Sequence, residues 1–319
     1  MRRVLSVIGL AIVFLSVFWL NGCVSVVSSS RHSESLIADR IEPVVMAPRS
    51  VRPPESPPAG ERIELCERDL PFVLFLPEGW SGPANRGRLA IHVHTADWVA
   101  VGEHLRAGYR FPLVAIFLGS GSTRYRDPFT DSSRFPRLME MVEAQEAQRG
   151  LSQPRIQAVD VSSFSAGYGA VRELVQQPAA FARIQRIVLS DSLYGALANG
   201  TDGKGPRVVR KEQVECWLPF ARAAMRGERT FVFTYSEIPT ASYASSGECA
   251  AAILAALGLK PEPVTESSLA AASEPTYPLR LRADAGHLHF WGYAGRDADA
   301  HLVHPRRLAE VWRALDAGK

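Results

Sequence analysis

The chain is short of cysteine, of net charge and of repetition, and each shortage removes a class of function. Only Cys23, Cys66, Cys216 and Cys249 occur among 319 residues, and no two are spaced C-x-x-C, so a cysteine-built zinc site has no ligand pairs to start from. The formal net charge is +3, or +1 without Arg2 and Arg3, and no basic stripe breaks that balance. The electrostatic footprint of a nucleic-acid binder is therefore missing. Leu118-Gly119-Ser120-Gly121-Ser122 is rich in glycine but lacks the Gly-Lys-Ser/Thr of a P-loop, which argues against a nucleotide phosphate cradle. No internal repeat is visible. With 46% hydrophobic and 22% charged residues, the chain nevertheless has the material for one large α/β domain with a full core.

The long apolar run is at the amino end. Arg2 and Arg3 precede an apolar run from Val4 to Leu20, broken only by Ser6, Gly9 and Ser16, and followed by Leu20-Asn21-Gly22-Cys23. A basic start, an apolar centre and small residues at its end read as an export signal. The last four residues resemble the lipobox of bacterial lipoproteins, which implies a signal peptide over 1–22 and lipidation of Cys23. A plain transmembrane anchor is the competing reading, because about 17 residues is near the lower limit for crossing a bilayer. Either way the domain is expected to be exported and held at a membrane of the cell envelope. Residues 23–60 are rich in Ser, Pro and Arg, with Pro43, Pro48, Pro53, Pro54, Pro57 and Pro58, and read as a tether partly in polyproline II form. Of the remaining cysteines, Cys66, Cys216 and Cys249, a pair could form one disulfide in an oxidising compartment, and their spacing does not say which.

From residue 61 to 319 strands and helices alternate. Short apolar runs rich in branched and aromatic residues, at 72–76, 89–93, 113–118, 156–161, 187–189, 231–235 and 288–293, have the character of strands buried in a sheet. Helical spacing joins Leu138, Met141 and Val142; Val171, Leu174 and Val175; Val214, Trp217, Leu218, Ala221 and Met225; Ala250, Ile253, Leu254 and Leu257; and Leu308, Val311, Trp312 and Leu315. This order predicts an α/β fold, a mostly parallel sheet flanked by helices on both faces. Ligands of such sheets sit outside the carboxyl ends of the strands, so the polar residues there are the ones to inspect.

One of those ends carries Ser163-Phe164-Ser165-Ala166-Gly167, where a β-branched run stops and a helix begins. Small residues two before and two after a serine are what a sharp strand-to-helix turn requires, and the turn leaves the central side chain exposed. Further on, Asp191 follows the 187–189 strand, Glu237 follows the 231–235 strand, and His301 follows the 288–293 strand. Serine, acid, histidine is the chain order of α/β-hydrolases. The domain 61–319 resembles that superfamily, carried by the turn around Ser165 and by the later acid and histidine, with Ser163 standing where its usual G-x-S-x-G has the first glycine. SSFSAGYGA, LGSGS, YSEI and GYAG are similar to an uncharacterised bacterial branch of it.

The resemblance implies a serine esterase-like hydrolase acting on a small-molecule or acyl substrate without cofactor or metal. Ser165 would be the nucleophile and His301 its base, with His287 of Gly286-His287 as the alternative base. Asp191 and Glu237 are alternatives for the acid, Asp191 being preferred for its shorter side chain. The backbone of Ala166 would form one half of an oxyanion hole and Thr95, in His94-Thr95-Ala96-Asp97-Trp98, the other. Trp98 could line a pocket or be core, and His289 and His304 read as structural. Two other functions are weighed. Histidines come in pairs (His92 and His94, His287 and His289, His301 and His304), and His92 with His94 near Asp97 could chelate zinc. A catalytically dead hydrolase fold could serve as an envelope binding protein.

Overall fold

The computed structural model describes residues 53–198, 205–264 and 277–317. The expected signal peptide, Cys23 and the tether up to residue 52 lie outside the described residues. The strands are β1 (Gly60–Glu67), β2 (Leu70–Pro77), β3 (Arg88–Val93), β4 (Leu113–Ile116), β5 (Ala158–Phe164), β6 (Ile184–Ser190), β7 (Thr230–Tyr235), β8 (Glu262–Pro263), β9 (Leu279–Ala285) and β10 (Leu288–Tyr293). The helices are α1 (Asp97–Arg106), α2 (Ser122–Phe129), α3 (Arg134–Gln148), α4 (Tyr168–Leu174), α5 (Pro178–Arg183), α6 (Lys211–Glu215), α7 (Leu218–Met225), α8 (Ser246–Leu257), α9 (Ala298–Arg306) and α10 (Leu308–Ala317). Among the described residues no helix is long and apolar enough to cross a membrane.

All ten strands join one sheet in the order β1-β2-β4-β3-β5-β6-β7-β10-β9-β8. The centre, β4-β3-β5-β6-β7-β10, is parallel throughout, and the strands outside it on both edges pair antiparallel. Alternation within a strand feeds two cores. On β3, Leu89, Ile91 and Val93 face the larger core, which packs under α3, α4, α7 and α8, while Ala90 faces a smaller one under α1 and α10. Ile187 and Leu189 of β6, and Phe231 and Phe233 of β7, go to the first core; Val188 and Val232 go to the second. Burial on both faces is why these strands read as continuous apolar runs. The expected mostly parallel sheet with helices on both faces is thus the observed architecture.

Chain order in the sheet also locates a crevice. From β3 the chain crosses to β4 on one side, and from β5 it crosses to β6 on the other, although β3 and β5 are hydrogen-bonded neighbours. The two connections diverge above the carboxyl ends of these strands, and this is where a doubly wound sheet opens a binding cleft. Val93-His94-Thr95 and Phe164-Ser165 are the segments that leave the sheet there.

The local structure departs from expectation in several places. Strand β1 has no apolar run to mark it, because its edge position exposes Glu61, Arg62 and Glu64, and only Ile63 and Leu65 rest on the core. The helix expected across Val214–Met225 is two, α6 and α7, because Pro219 has no N–H to donate and is seated in the first turn of a new helix. Helix α1 was hidden because two of its inward residues are polar, Glu103 and His104. Glu103 is satisfied by the Ala309 N–H at 2.9 Å and by Arg106 at 2.6 Å, and His104 Nε2 donates to the Phe111 carbonyl at 2.7 Å.

Buried imidazoles give the fold a pH dependence. Burial pushes His92 down to about 3, and His94, His104 and His304 each to about 4, from 6.5. Between those values the unfolded chain binds protons that the folded chain refuses, so stability is complete above about pH 6.5 and is lost as pH falls toward 4. Glu103 and Glu146, both raised by burial to about 7, act the other way above pH 4.5, and the four histidines outnumber them. His104→Gln is expected to flatten the acid limb by about 1.4 kcal/mol per pH unit between pH 6 and 5, read as urea unfolding free energy against pH. An unchanged slope would contradict this.

Candidate active site

The turn after β5 is as tight as its small residues suggested. Phe164 is still extended (φ −120°, ψ 143°), Ser165 enters the left-handed region at φ 46°, and Ser165–Gly167 forms a 3-10 turn that runs into α4. A non-glycine residue at positive φ is strained and persists only where its surroundings over-determine it. Gly167 shows how close those surroundings are: a Cβ there would lie 2.4 Å from the Val93 carbonyl oxygen and 3.1 Å from His94 Cβ. The elbow therefore sits directly against the end of β3, and only glycine permits the approach.

Asp191 leaves β6 in a similar strained state, at φ 43°, with its side chain fully buried. Its carboxylate meets only donors. Oδ1 accepts from the Ser236 N–H at 3.2 Å and from the Ser246 hydroxyl. Oδ2 accepts from the Ser236 hydroxyl at 2.8 Å and from His301 Nδ1 at 2.7 Å. Burial alone would raise this carboxyl; the neighbouring His304 and His301 rings and the hydrogen bonds from His301 and Ser246 outweigh it and hold the group well below the usual carboxylate range. Because burial keeps His304 neutral near pH 7, the hydrogen bonds are the part of that support that persists.

A carboxylate can only accept, so His301 Nδ1 carries a proton, and in the neutral ring the lone pair is on Nε2. This is the tautomer of a general base. The His301 ring packs on Phe164, the residue before Ser165, with centroids 4.4 Å apart, so the imidazole lies over the elbow. Ser165 is half-buried, and its Oγ has no hydrogen-bond partner among the described residues. His301 itself stands in the first turn of α9, a short helix between β10 and the amphipathic last helix α10. The Asp297 side chain caps this helix by accepting from the Ala300 N–H at 2.8 Å.

The other candidates fall elsewhere. Glu237 is exposed and holds the Gly295 loop, accepting from its N–H at 3.3 Å, with no bond to a histidine. His287 is in the turn between β9 and β10, and its carbonyl accepts from Phe231 N–H at the start of β7. It is therefore at the amino ends of the parallel strands, whereas Ser165 follows the carboxyl end of β5. His289 pairs with Asp284 at 2.6 Å on the same side. Thr95 is buried where β3 ends, beside the elbow, and its hydroxyl donates to the Ala96 carbonyl. Trp98 is half-buried in the first turn of α1. Glu237→Gln and His287→Ala are each expected to leave kcat for an ester substrate within about threefold of the parent, in steady-state assays; a loss above a hundredfold in either would displace Asp191 or His301.

The histidine pairs do not converge. His92 is inside the sheet, with Nδ1 on the Ser162 hydroxyl at 2.8 Å. His94 lies beyond the strand at φ 69°, where strand alternation no longer applies, and its ring stacks between Phe117 and Phe164, each 5.8 Å away. Tyr125 holds its Nδ1 at 2.6 Å. His304 lies beneath His301 with Nδ1 on the Thr234 hydroxyl at 2.8 Å. No group of three or more His, Cys, Asp or Glu among the described residues is arranged to hold a metal ion. Among the described residues no disulfide joins Cys66, Cys216 and Cys249.

Sequence reasoning missed the serines. Ser236 and Ser246 on Asp191, and Ser192 near the elbow, come from three separate elements, and serine in a loop or at a helix start carries no pattern that marks it; Ser163 was marked only as a small residue of the turn.

No family model and no curated protein matches the chain. Solved structures that resemble it include the poly(3-hydroxybutyrate) depolymerase LpqC from Bordetella parapertussis (15% identity, 79% of this chain and 89% of that one, TM-score 0.44). Others are the carboxylesterase CesB (YbfK) from Bacillus subtilis (9% identity, 82% and 93%, TM-score 0.42) and a ferulic acid esterase (9% identity, 81% and 97%, TM-score 0.46). Likeness at this level says nothing of the bond cleaved.

Proposed function

We propose that this protein is a serine hydrolase that cleaves an ester, thioester or amide through an acyl-enzyme on Ser165. The observation that carries the reading is the 2.7 Å bond from His301 Nδ1 to the buried Asp191 carboxylate, on an imidazole packed at a tilt against Phe164, the residue before the strained Ser165. His301 Nε2 takes the Ser165 proton as Oγ attacks the carbonyl, and returns it to the leaving group as the tetrahedral intermediate collapses. Water then repeats the sequence on the acyl-enzyme. Asp191 holds the tautomer and balances the imidazolium. The Ala166 N–H, at the start of a helix where backbone donors have no partner within it, faces the developing oxyanion, with the β3 end at Thr95 as the second donor.

The purified domain is expected to hydrolyse a short p-nitrophenyl ester and to be inactivated by a fluorophosphonate at one equivalent per chain. Absence of both would sink the reading. The envelope location belongs to the same proposal: Cys23 carries lipid and residues 23–60 hold the domain off the membrane. What supports this is the signal-like start of the sequence alone, and Cys23→Ser should move the protein from the membrane to the soluble fraction.

A further inference from the structure

Ser163 occupies a position where a buried hydroxyl needs a reason. It is 0% exposed, as is Ser192, and the two Oγ atoms are 2.8 Å apart. Ser192 Oγ in turn donates to the backbone carbonyl of Ser165 at 2.9 Å. A hydroxyl has one proton, so the direction of the chain is fixed. Ser192 spends its proton on the Ser165 carbonyl, and Ser163 must donate to Ser192.

The carbonyl at the end of this relay belongs to the Ser165–Ala166 peptide plane. A trans peptide is rigid, and its C=O and N–H point in opposite directions. Pinning the Ser165 oxygen from below therefore aims the Ala166 N–H above, where the oxyanion forms. The Tyr168 N–H also reaches the same oxygen, as the helical turn requires, and that bond alone leaves the plane free to tilt. A donor on the carbonyl also polarises the amide and strengthens its N–H as a donor. Ser192 directly follows Asp191, so the relay ties the loop that holds the acid to the turn that holds the nucleophile.

The geometry points to Ser192, seconded by Ser163, as a positioning residue that sets the oxyanion-binding N–H of Ala166. This rests on the proposed hydrolase reading. In it, the serine at 163 is a working replacement for glycine: the hydroxyl that departs from the usual pattern is the one that orients Ser192.

The test compares Ser192→Ala, Ser163→Ala and the double variant, by ester kinetics, by the rate of fluorophosphonate inactivation and by thermal melting. Ser192→Ala should lower kcat and the inactivation rate tenfold or more with KM within twofold, because a transition-state donor is misaimed while the binding surface is intact. Ser163→Ala should lower them by about two- to fivefold, since Ser192 keeps its own bond. The double variant should be as slow as Ser192→Ala, because the relay is in series, yet melt at a higher temperature than that single variant, in which the buried Ser163 hydroxyl is stranded. A merely structural role predicts that rate and melting recover together in the double variant, and that result would overturn the assignment. So would Ser192→Ala with kcat within twofold of the parent, which leaves the hydrolase reading standing. A parent protein that neither turns over ester nor reacts with fluorophosphonate removes both.

Discussion

Ser165→Ala is expected to lower kcat for a short p-nitrophenyl ester at least about 10⁴-fold, a loss of some 5.5 kcal/mol in transition-state stabilisation. The size follows from the proposed role: in that mechanism no acyl-enzyme forms without Oγ, and His301 and Asp191 have nothing to activate. What remains is binding plus the oxyanion donors, worth about 10³–10⁴ over water in triad enzymes stripped of their nucleophile. KM should change little, because Oγ contributes little to ground-state contact. The variant should be no less stable than the parent, since the strained φ of 46° suits alanine no worse than serine and the Ser192 bond goes to a backbone oxygen that alanine keeps. A loss under a hundredfold, in steady-state assays of protein free of the parent enzyme, would remove Ser165 from the mechanism.

Asp191→Asn should lower kcat by about the same order, 10⁴-fold, as the equivalent change does in Ser-His-Asp proteases. The geometry here shows why so small a change is so severe. All four neighbours of the carboxylate donate to it, and asparagine brings an NH₂ that must face one pair of them. If the NH₂ takes the Oδ1 place it meets the Ser236 backbone N–H, which cannot turn into an acceptor. If it takes the Oδ2 place, the Ser236 hydroxyl can rotate to accept, but His301 Nδ1 must give up its proton. The imidazole then carries hydrogen on Nε2 and has no lone pair for Ser165. The second arrangement is the less costly for folding, so the variant is expected to fold and to hold the wrong tautomer. Kinetics across pH 6 to 9, with circular dichroism as the check on fold, will show a depressed rate at every pH. Retention of more than a tenth of the parent kcat would return the role of acid to another residue.

The fold was largely legible in the sequence, because central parallel strands must be apolar on both faces. Runs such as 231–235 and 187–189 announce themselves for that reason. The edges were not, since β1 mixes charges with its few core contacts, and α1 buries Glu103 and His104 where periodicity looks for leucine. The site was legible to the same degree as its backbone. The turn at Ser165 demands small neighbours, and that demand is written locally in Ser163, Ala166 and Gly167.

Whether Asp191 or Glu237 faces the histidine depends instead on tertiary partners. Ser236 and Ser246 turn Asp191 inward into a nest of donors, while Glu237 points out to the Gly295 loop. Both acids follow a strand end, and nothing in the spacing separates them. The histidines were harder still, since His287 lies next to a glycine in a sequence context much like a catalytic one, and only the pairing of β9 with β10 puts it at the far edge.

The most direct test of the central claim is mass spectrometry of the parent protein after treatment with a fluorophosphonate, followed by peptide mapping. The prediction is one adduct per chain, on Ser165, forming at a rate that falls sharply in Asp191→Asn and vanishing in Ser165→Ala. An unlabelled parent, or an adduct that persists when Ser165 is alanine, would contradict it.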